Sequence, residues 1–284
     1  MFDLLKFFKS PPRLNLIFRF SFAIILILLL IWGIHSCTKT TKSKKELYTI
    51  ARASTWYPIQ LYGRERKLVA FTNDLFASIA SENGLRFQWV EASPQSLVEG
   101  LESNTYDFII SSIRPNIVNE EHYSFSELLF AFGPVLVVKE SSTATSLEQM
   151  NQRPTGIISG FSPVFNAIRI AGANTFDPLI ITYDNASRAF DALVHGQIDG
   201  VIAPVMEAYT IVRGLYSGQL KVITQPLNDE GLRTICLSES ELDDVINSIN
   251  TSINKMKADG TYQQLIHKWD LIDPETDFSK SPSM

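Results

Sequence analysis

Two cysteines in 284 residues, Cys37 and Cys236, are too few for a disulfide framework, so the fold must rest on a hydrophobic core. There is no basic surplus: 25 Lys+Arg stand against 30 Asp+Glu, a net charge of −5. Nothing is left over to neutralise a phosphate backbone, and nucleic acid is not an expected partner. The four histidines, His35, His122, His195 and His267, show neither HExxH nor Cys/His zinc spacing, so no metal is expected. No Walker A loop, G-x-G-x-x-G turn or G-x-S-x-G elbow occurs, since Gly160-Phe161-Ser162-Pro163 lacks the closing glycine. No cofactor is expected. What is present is an ordinary globular composition, 45% hydrophobic and 19% charged, at a length that suits about two domains.

Residues 20–34 form one apolar run, FSFAIILILLLIWGI, preceded by Lys6, Lys9, Arg13 and Arg19. A basic segment followed by a short apolar stretch reads as an export signal. It falls short of the roughly 20 residues that span a bilayer. Ile34-His35-Ser36-Cys37 resembles a bacterial lipobox, which implies cleavage before Cys37 and lipid attachment there, although His35 departs from the usual small residue. An uncleaved signal anchor and an ordinary cleaved signal remain open. All three readings place the bulk of the chain outside the inner membrane. Residues 1–36 carry four basic and one acidic side chain, so the remainder carries −8. Residues 37–46, polar and Lys-rich, read as a tether.

From residue 47 strand and helix signals alternate. Strands are expected at 47–51, 86–90, 106–111 and 130–139, with helices capped by Thr72 and by Ser93-Pro94 between them. A second set follows: strands at 155–158, 179–182, 198–203 and 220–224. Its helices open at Ser162-Pro163, at Asp184 or Asn185, and at Pro204. A strand-like run at 232–237 contains Cys236, read as a buried thiol. A long amphipathic helix at 239–257 and a short one at 261–269 end the chain, with Asp243-Asp244 on the solvated side of the first. His195, just before a helix-ending glycine, suits the helix C-terminus. Repeated β-α-β units mean parallel-rich sheets covered by helices, here in two α/β lobes.

The order of motifs resembles the solute-binding proteins of ABC importers, specifically the polar amino-acid-binding family (family 3). Trp56-Tyr57-Pro58 resembles its aromatic-Pro turn after the first strand. Residues 69–75 (VAFTNDL) resemble its entry to the first helix. Residues 106–110 (YDFII) with Phe125-Ser126 resemble the segment before the first crossover. Residues 193–199 (LVHGQID) resemble its helix-Gly-x-x-Asp-strand unit. Residues 257–262 (KADGTY) with Lys268-Trp269 resemble its C-terminal signature. The resemblance covers about residues 47–271. It implies a type II periplasmic-binding-protein fold, two lobes joined by two crossing strands. Lobe 1 would be 47–132 plus 232–271, lobe 2 would be 138–225, and 272–284 a tail. It also implies a monomer outside the inner membrane, capture of a small polar solute by hinge closure, and an importer permease as partner.

The pocket departs from that family. Its members hold an α-carboxylate with Arg and an α-amine with Asp, and a further acid lies near the stacking aromatic. The corresponding positions here are Asn119, Pro204 and Ala53. Candidate substitutes are Arg114, Arg52 and Glu207, with Ser111, Ser112, Gly160 and Ser162 offering hydroxyls and backbone N–H groups. The turn at 159–162 opens a helix and suits an anion. Trp56 is the candidate to cover the ligand with a ring. Each has an alternative: Trp56 as a core ring, Arg114 paired with Glu120 or Glu121, Arg52 and Glu207 solvated, the serines as caps. Asp74 matches a family acid but suits helix-start stabilisation. Two other readings stay open: a ligand-blind or sensory descendant acting through protein contacts, and an enzyme resembling cyclohexadienyl dehydratase. The dehydratase reading requires a cleft carboxylate.

Overall fold

The computed structural model describes residues 47–53, 55, 56, 59–159, 176–238 and 241–279. The apolar run at 20–34, Cys37, the tether, Tyr57-Pro58, Gly160, and the helix expected at Ser162-Pro163 lie outside the described residues. No described helix is long and apolar enough to cross a membrane.

The first sheet is built from β1 (Tyr48–Arg52), β2 (Phe87–Glu91) and β3 (Phe108–Ser111), joined by α1 (Glu65–Asn83) and α2 (Pro94–Glu102). β1 pairs in parallel with both β2 and β3. The motif around Asp107 explains part of that register. Its carboxylate accepts from the Thr49 N–H at 2.7 Å and the Thr49 hydroxyl at 2.8 Å, bonding the start of β3 to β1. Tyr106 lies over Gly100, where a Cβ would meet the tyrosine ring at 2.1 Å. α2 starts on a capping box in which Ser93 and Ser96 satisfy each other's backbone N–H.

α1 begins at Glu65, not at Thr72. Its buried stripe of Leu68, Phe71, Thr72, Leu75, Phe76 and Ile79 runs through that threonine. Thr72 is an interior position whose hydroxyl donates back to the Val69 carbonyl. Gly84, in the left-handed region at φ +62°, closes the helix.

The second sheet has the order β10-β6-β9-β7-β8. It comprises β6 (Pro134–Lys139), β7 (Pro154–Ile158), β8 (Leu179–Tyr183), β9 (Gly200–Pro204) and β10 (Leu220–Val222). β7 runs parallel to β8 and β9, while β6 runs antiparallel to β9 and β10. α3 (Ala186–Val194) and α4 (Val205–Arg213) pack on it. Of the two caps open for α3, Asn185 is the one used: its side chain accepts from Arg188 N–H at 3.0 Å. His195 follows the last turn, its ring against the Asp191 carbonyl.

The chain returns to the first sheet through β11 (Gly231–Leu237), antiparallel to β3, to β4 (Tyr123–Phe125) and to β5 (Phe130–Ala131). α5 (Asp243–Asp259) and α6 (Thr261–Lys268) then pack on α1. α5 starts four residues later than its apolar pattern suggested. One oxygen of Asp74 accepts from Lys268 Nζ at 2.7 Å and from the Trp269 indole at 2.8 Å. Asp74 therefore does not stabilise a helix start. It clamps the middle of α1 to the end of α6.

Two stretches cross between the sheets side by side. β5 and β6 are separated only by Phe132-Gly133, and 225–230 leads into β11. Leu227 N–H donates to the Pro134 carbonyl at 2.8 Å, and Phe132 N–H to the Glu230 carbonyl at 2.7 Å. The two stretches approach so closely at Gly133 that a Cβ there would lie 2.6 Å from the Asn228 side chain and 2.7 Å from its carbonyl. Beyond α6, Leu271, Ile272, Asp273 and Asp277 are buried. Asp277 meets Arg213 of α4, and Glu275 meets Lys257 of α5 at 2.9 Å and, through its carbonyl, Gln225. This segment makes a further tie between the elements of the two sheets.

Candidate functional site

A cleft of about 520 Å³ opens where the C-terminal ends of the parallel strands of both sheets meet the crossing stretches. That is the usual place for a ligand in an open α/β sheet. From the first lobe it is lined by Ile59, Gln60 and Tyr62, after β1, and by Ser112 and Arg114, after β3. From the second come Ile158 at the end of β7, Pro204 at the end of β9, and Met206 and Glu207 in the first turn of α4. Phe132, Glu230 and Gly231 of the crossing stretches form its floor.

Of the residues singled out in the sequence, Ser112, Arg114 and Glu207 come together here, beside Pro204. The others do not. Arg52 is neither solvated nor in the cleft. It is buried, donates to Glu91, Thr72 and Asn73, and stacks over the Trp89 ring at 4.2 Å. Burial lowers its pKa, with Glu91 opposing. Its work is to join β1, β2 and α1.

Trp56 is 3% exposed and packs in the main core, its indole donating to the Glu65 carbonyl at 3.2 Å. Its place is under the loop rather than over a ligand. Ser111 stays in β3, paired with Arg233, and its hydroxyl accepts from Ile113 N–H. Gly160 and Ser162 lie outside the described residues. Asn119 bonds the Arg114 carbonyl and the Asn116 N–H, tying its own loop.

The aromatic ring that does face the cleft is Tyr62, six residues beyond Trp56 in the same loop. It is 42% exposed and held at φ +52°, a backbone region that costs a bulky residue about 1–2 kcal/mol. Glu207 stands opposite. Burial pushes the Glu207 carboxyl above its ordinary value, and the Tyr62 hydroxyl partly offsets that. Burial and the nearby Glu207 charge push the Tyr62 hydroxyl well up in turn. Close by, Arg64 Nη1 donates to Thr210 Oγ1 at 3.0 Å, a second contact between the lobes.

Arg114 does not pair with Glu120 or Glu121. It donates to Asp229 Oδ1 at 2.6 Å and lies 3.6 Å from Glu230 Oε1, both on the second crossing stretch. Arg233 holds the other oxygen of Asp229 at 3.1 Å. Burial works to raise the Asp229 carboxyl, but the Arg114 bond and the two guanidinium charges outweigh it and hold it below its usual value. No local pattern signals the Arg114–Asp229 pair, whose members lie 115 residues apart. Tyr62 was within reach of sequence reasoning, as a further aromatic, after Trp56 and Tyr57, in the loop following the first strand. Among the described residues no cluster of His, Cys, Asp and Glu is arranged to hold a metal.

Comparison with known proteins agrees with this architecture. The family model for bacterial extracellular solute-binding proteins, family 3, matches residues 48–271. The histidine-binding periplasmic protein of Escherichia coli is 22% identical over 254 residues, covering 87% of this chain and 96% of that one. An ABC transporter glutamine-binding protein of Bacillus subtilis is 24% identical over 213 residues, covering 73% and 75%. Among solved structures, the L-cystine solute receptor of Neisseria gonorrhoeae, in its unliganded open conformation, superposes with a TM-score of 0.60 at 17% identity. That match covers 85% of this chain and 96% of the receptor.

Proposed function

Because the chain belongs to the bacterial extracellular solute-binding proteins of family 3, we propose that it captures a small polar solute, an amino acid or a relative of one, for an ABC importer. The observation that carries this is the cleft of about 520 Å³ between the two sheets, floored by the crossing stretches that would act as its hinge. Ser112, Arg114 and Glu207 reach it from opposite sides, with Tyr62 and Phe132 supplying ring surface. Gly160 and Ser162, outside the described residues, join them in this reading as N–H and hydroxyl donors. Solute bound between the lobes draws them together, and the closed form is what a permease accepts.

The chain acts outside the inner membrane, held there by lipid on Cys37 or by its uncleaved apolar segment. Metabolic labelling with a fatty-acid probe tests the first: Cys37→Ser should abolish the label, and a label that persists rules out lipid at that residue. The binding reading is tested by a thermal-shift screen of the full chain in detergent against amino acids, short peptides and small organic acids. Ligand at 100 times its dissociation constant adds about 2.7 kcal/mol. For a chain of this size that is roughly 5–10 °C in melting temperature. No shift with any class, together with native mass spectrometry of an empty protein, would overturn solute capture in favour of a ligand-blind protein.

A further inference from the structure

The charges around the cleft do not cancel. Arg114 and Arg233 are both committed to Asp229 and Glu230, two cations against two anions in one network. Arg114 thus reaches the cleft with its charge already satisfied. Glu207 stands outside that network, and among the described residues no basic side chain pairs with it. It is more than half shielded from water, in the first turn of α4, facing the Tyr62 hydroxyl from the other lobe.

A half-buried carboxylate with only a hydroxyl opposite is short of a positive charge. A solute carboxylate, by contrast, finds a single cation among the residues lining the cleft, Arg114, and that one is already paired. It would have to displace Asp229 from Arg114, or settle for the neutral Ser112 and Gln60. The apolar surfaces of Ile59, Phe132 and Met206 suit a short alkyl chain.

Resting on the solute-binding reading above, we propose that this cleft takes an organic cation, an amine or guanidinium on a short alkyl chain, seated on Glu207 opposite Tyr62 and needing no carboxylate of its own. Seated there, the cation lies between the lobes and neutralises a carboxylate that has no basic partner among the described residues.

Arginine and agmatine separate the two demands, because they differ only by the carboxylate. Isothermal titration of the full chain in detergent would use agmatine, arginine and glutamine. Agmatine is expected to bind at least about tenfold more tightly than arginine, with Glu207→Gln weakening agmatine by about tenfold or more. The wild-type comparison stands whether or not that variant folds. Arginine binding as tightly as agmatine, or glutamine binding where agmatine does not, overturns the cation proposal and leaves solute capture intact. Silence from all three also overturns it. The broader thermal-shift screen then decides separately whether solute capture itself survives.

Discussion

One oxygen of Asp74 serves two donors, Lys268 and Trp269, and so connects two stretches of sequence nearly 200 residues apart. Both belong to motifs that carry the family resemblance, and their contact gives that resemblance a physical reason. Asp74→Ala removes a charge-assisted bond to the indole and an exposed ion pair. The first is worth about 1.5–3 kcal/mol and the second less than about 1. A loss of about 2 kcal/mol is therefore expected, read as a fall of roughly 4–8 °C in melting temperature. The hydrogen bond from Lys268 is the main cause holding the Asp74 carboxyl below its ordinary 3.8, with burial opposing and Trp269 assisting. Its contribution is thus fully present above pH 3.8 and is lost as pH falls through the depressed folded value. Acid titration of wild type and variant should show a constant stability gap from neutral pH down to about pH 5, closing below 3.8. A gap that closes above pH 5 would place the ion pair's partner elsewhere.

At the level of elements, the crossing stretches and the C-terminal segment carry the mechanics. Gly133 has no room for a methyl group against Asn228. Gly133→Ala should force the two stretches apart at a cost of about 1–3 kcal/mol. Hydrogen exchange should rise at Leu227, whose N–H bonds across to Pro134. Unchanged exchange there would mean that the stretches can separate without losing their ladder. Removing residues 272–284 would take away buried Ile272, worth about 1.5–3 kcal/mol, and the ties of Asp277 to Arg213 and Glu275 to Lys257. A melting temperature lower by roughly 5–10 °C is expected. No change would make the segment a passive tail, as the sequence alone had it.

The elements themselves were largely legible in the sequence, because alternation of Phe, Ile and Val runs with 3.6-periodic stretches marks strands and helices directly. The failures were local and have causes. The first two turns of α1 were hidden by Arg64-Glu65-Arg66-Lys67, a polar opening with no capping side chain. β4 is three residues long, too short to show a period.

For the molecule as a whole, two α/β lobes were visible in advance, because β-α-β order constrains topology strongly, while the paired crossings were implied only by the family resemblance. The contents of the cleft were visible only in part. Arg114 and Glu207 were found because they sit just past strand ends, where side chains reach a cleft, and Ser112 because the family resemblance implied a hydroxyl there. Trp56 and Arg52 occupy similar positions but turn into the first lobe, and residue type alone does not reveal that choice. Arg114's true partners lie on a stretch that returns only after the entire second sheet has been made, so no local reading reaches them.

Cys236 sits next to the end of β11, fully buried, with the strand paired to β3 on one side and β4 on the other. A thiol reagent can reach it only when that sheet opens. The rate of Cys236 modification is therefore a built-in clock for opening of the first lobe. A solute that draws the lobes together should slow that clock without any label being introduced.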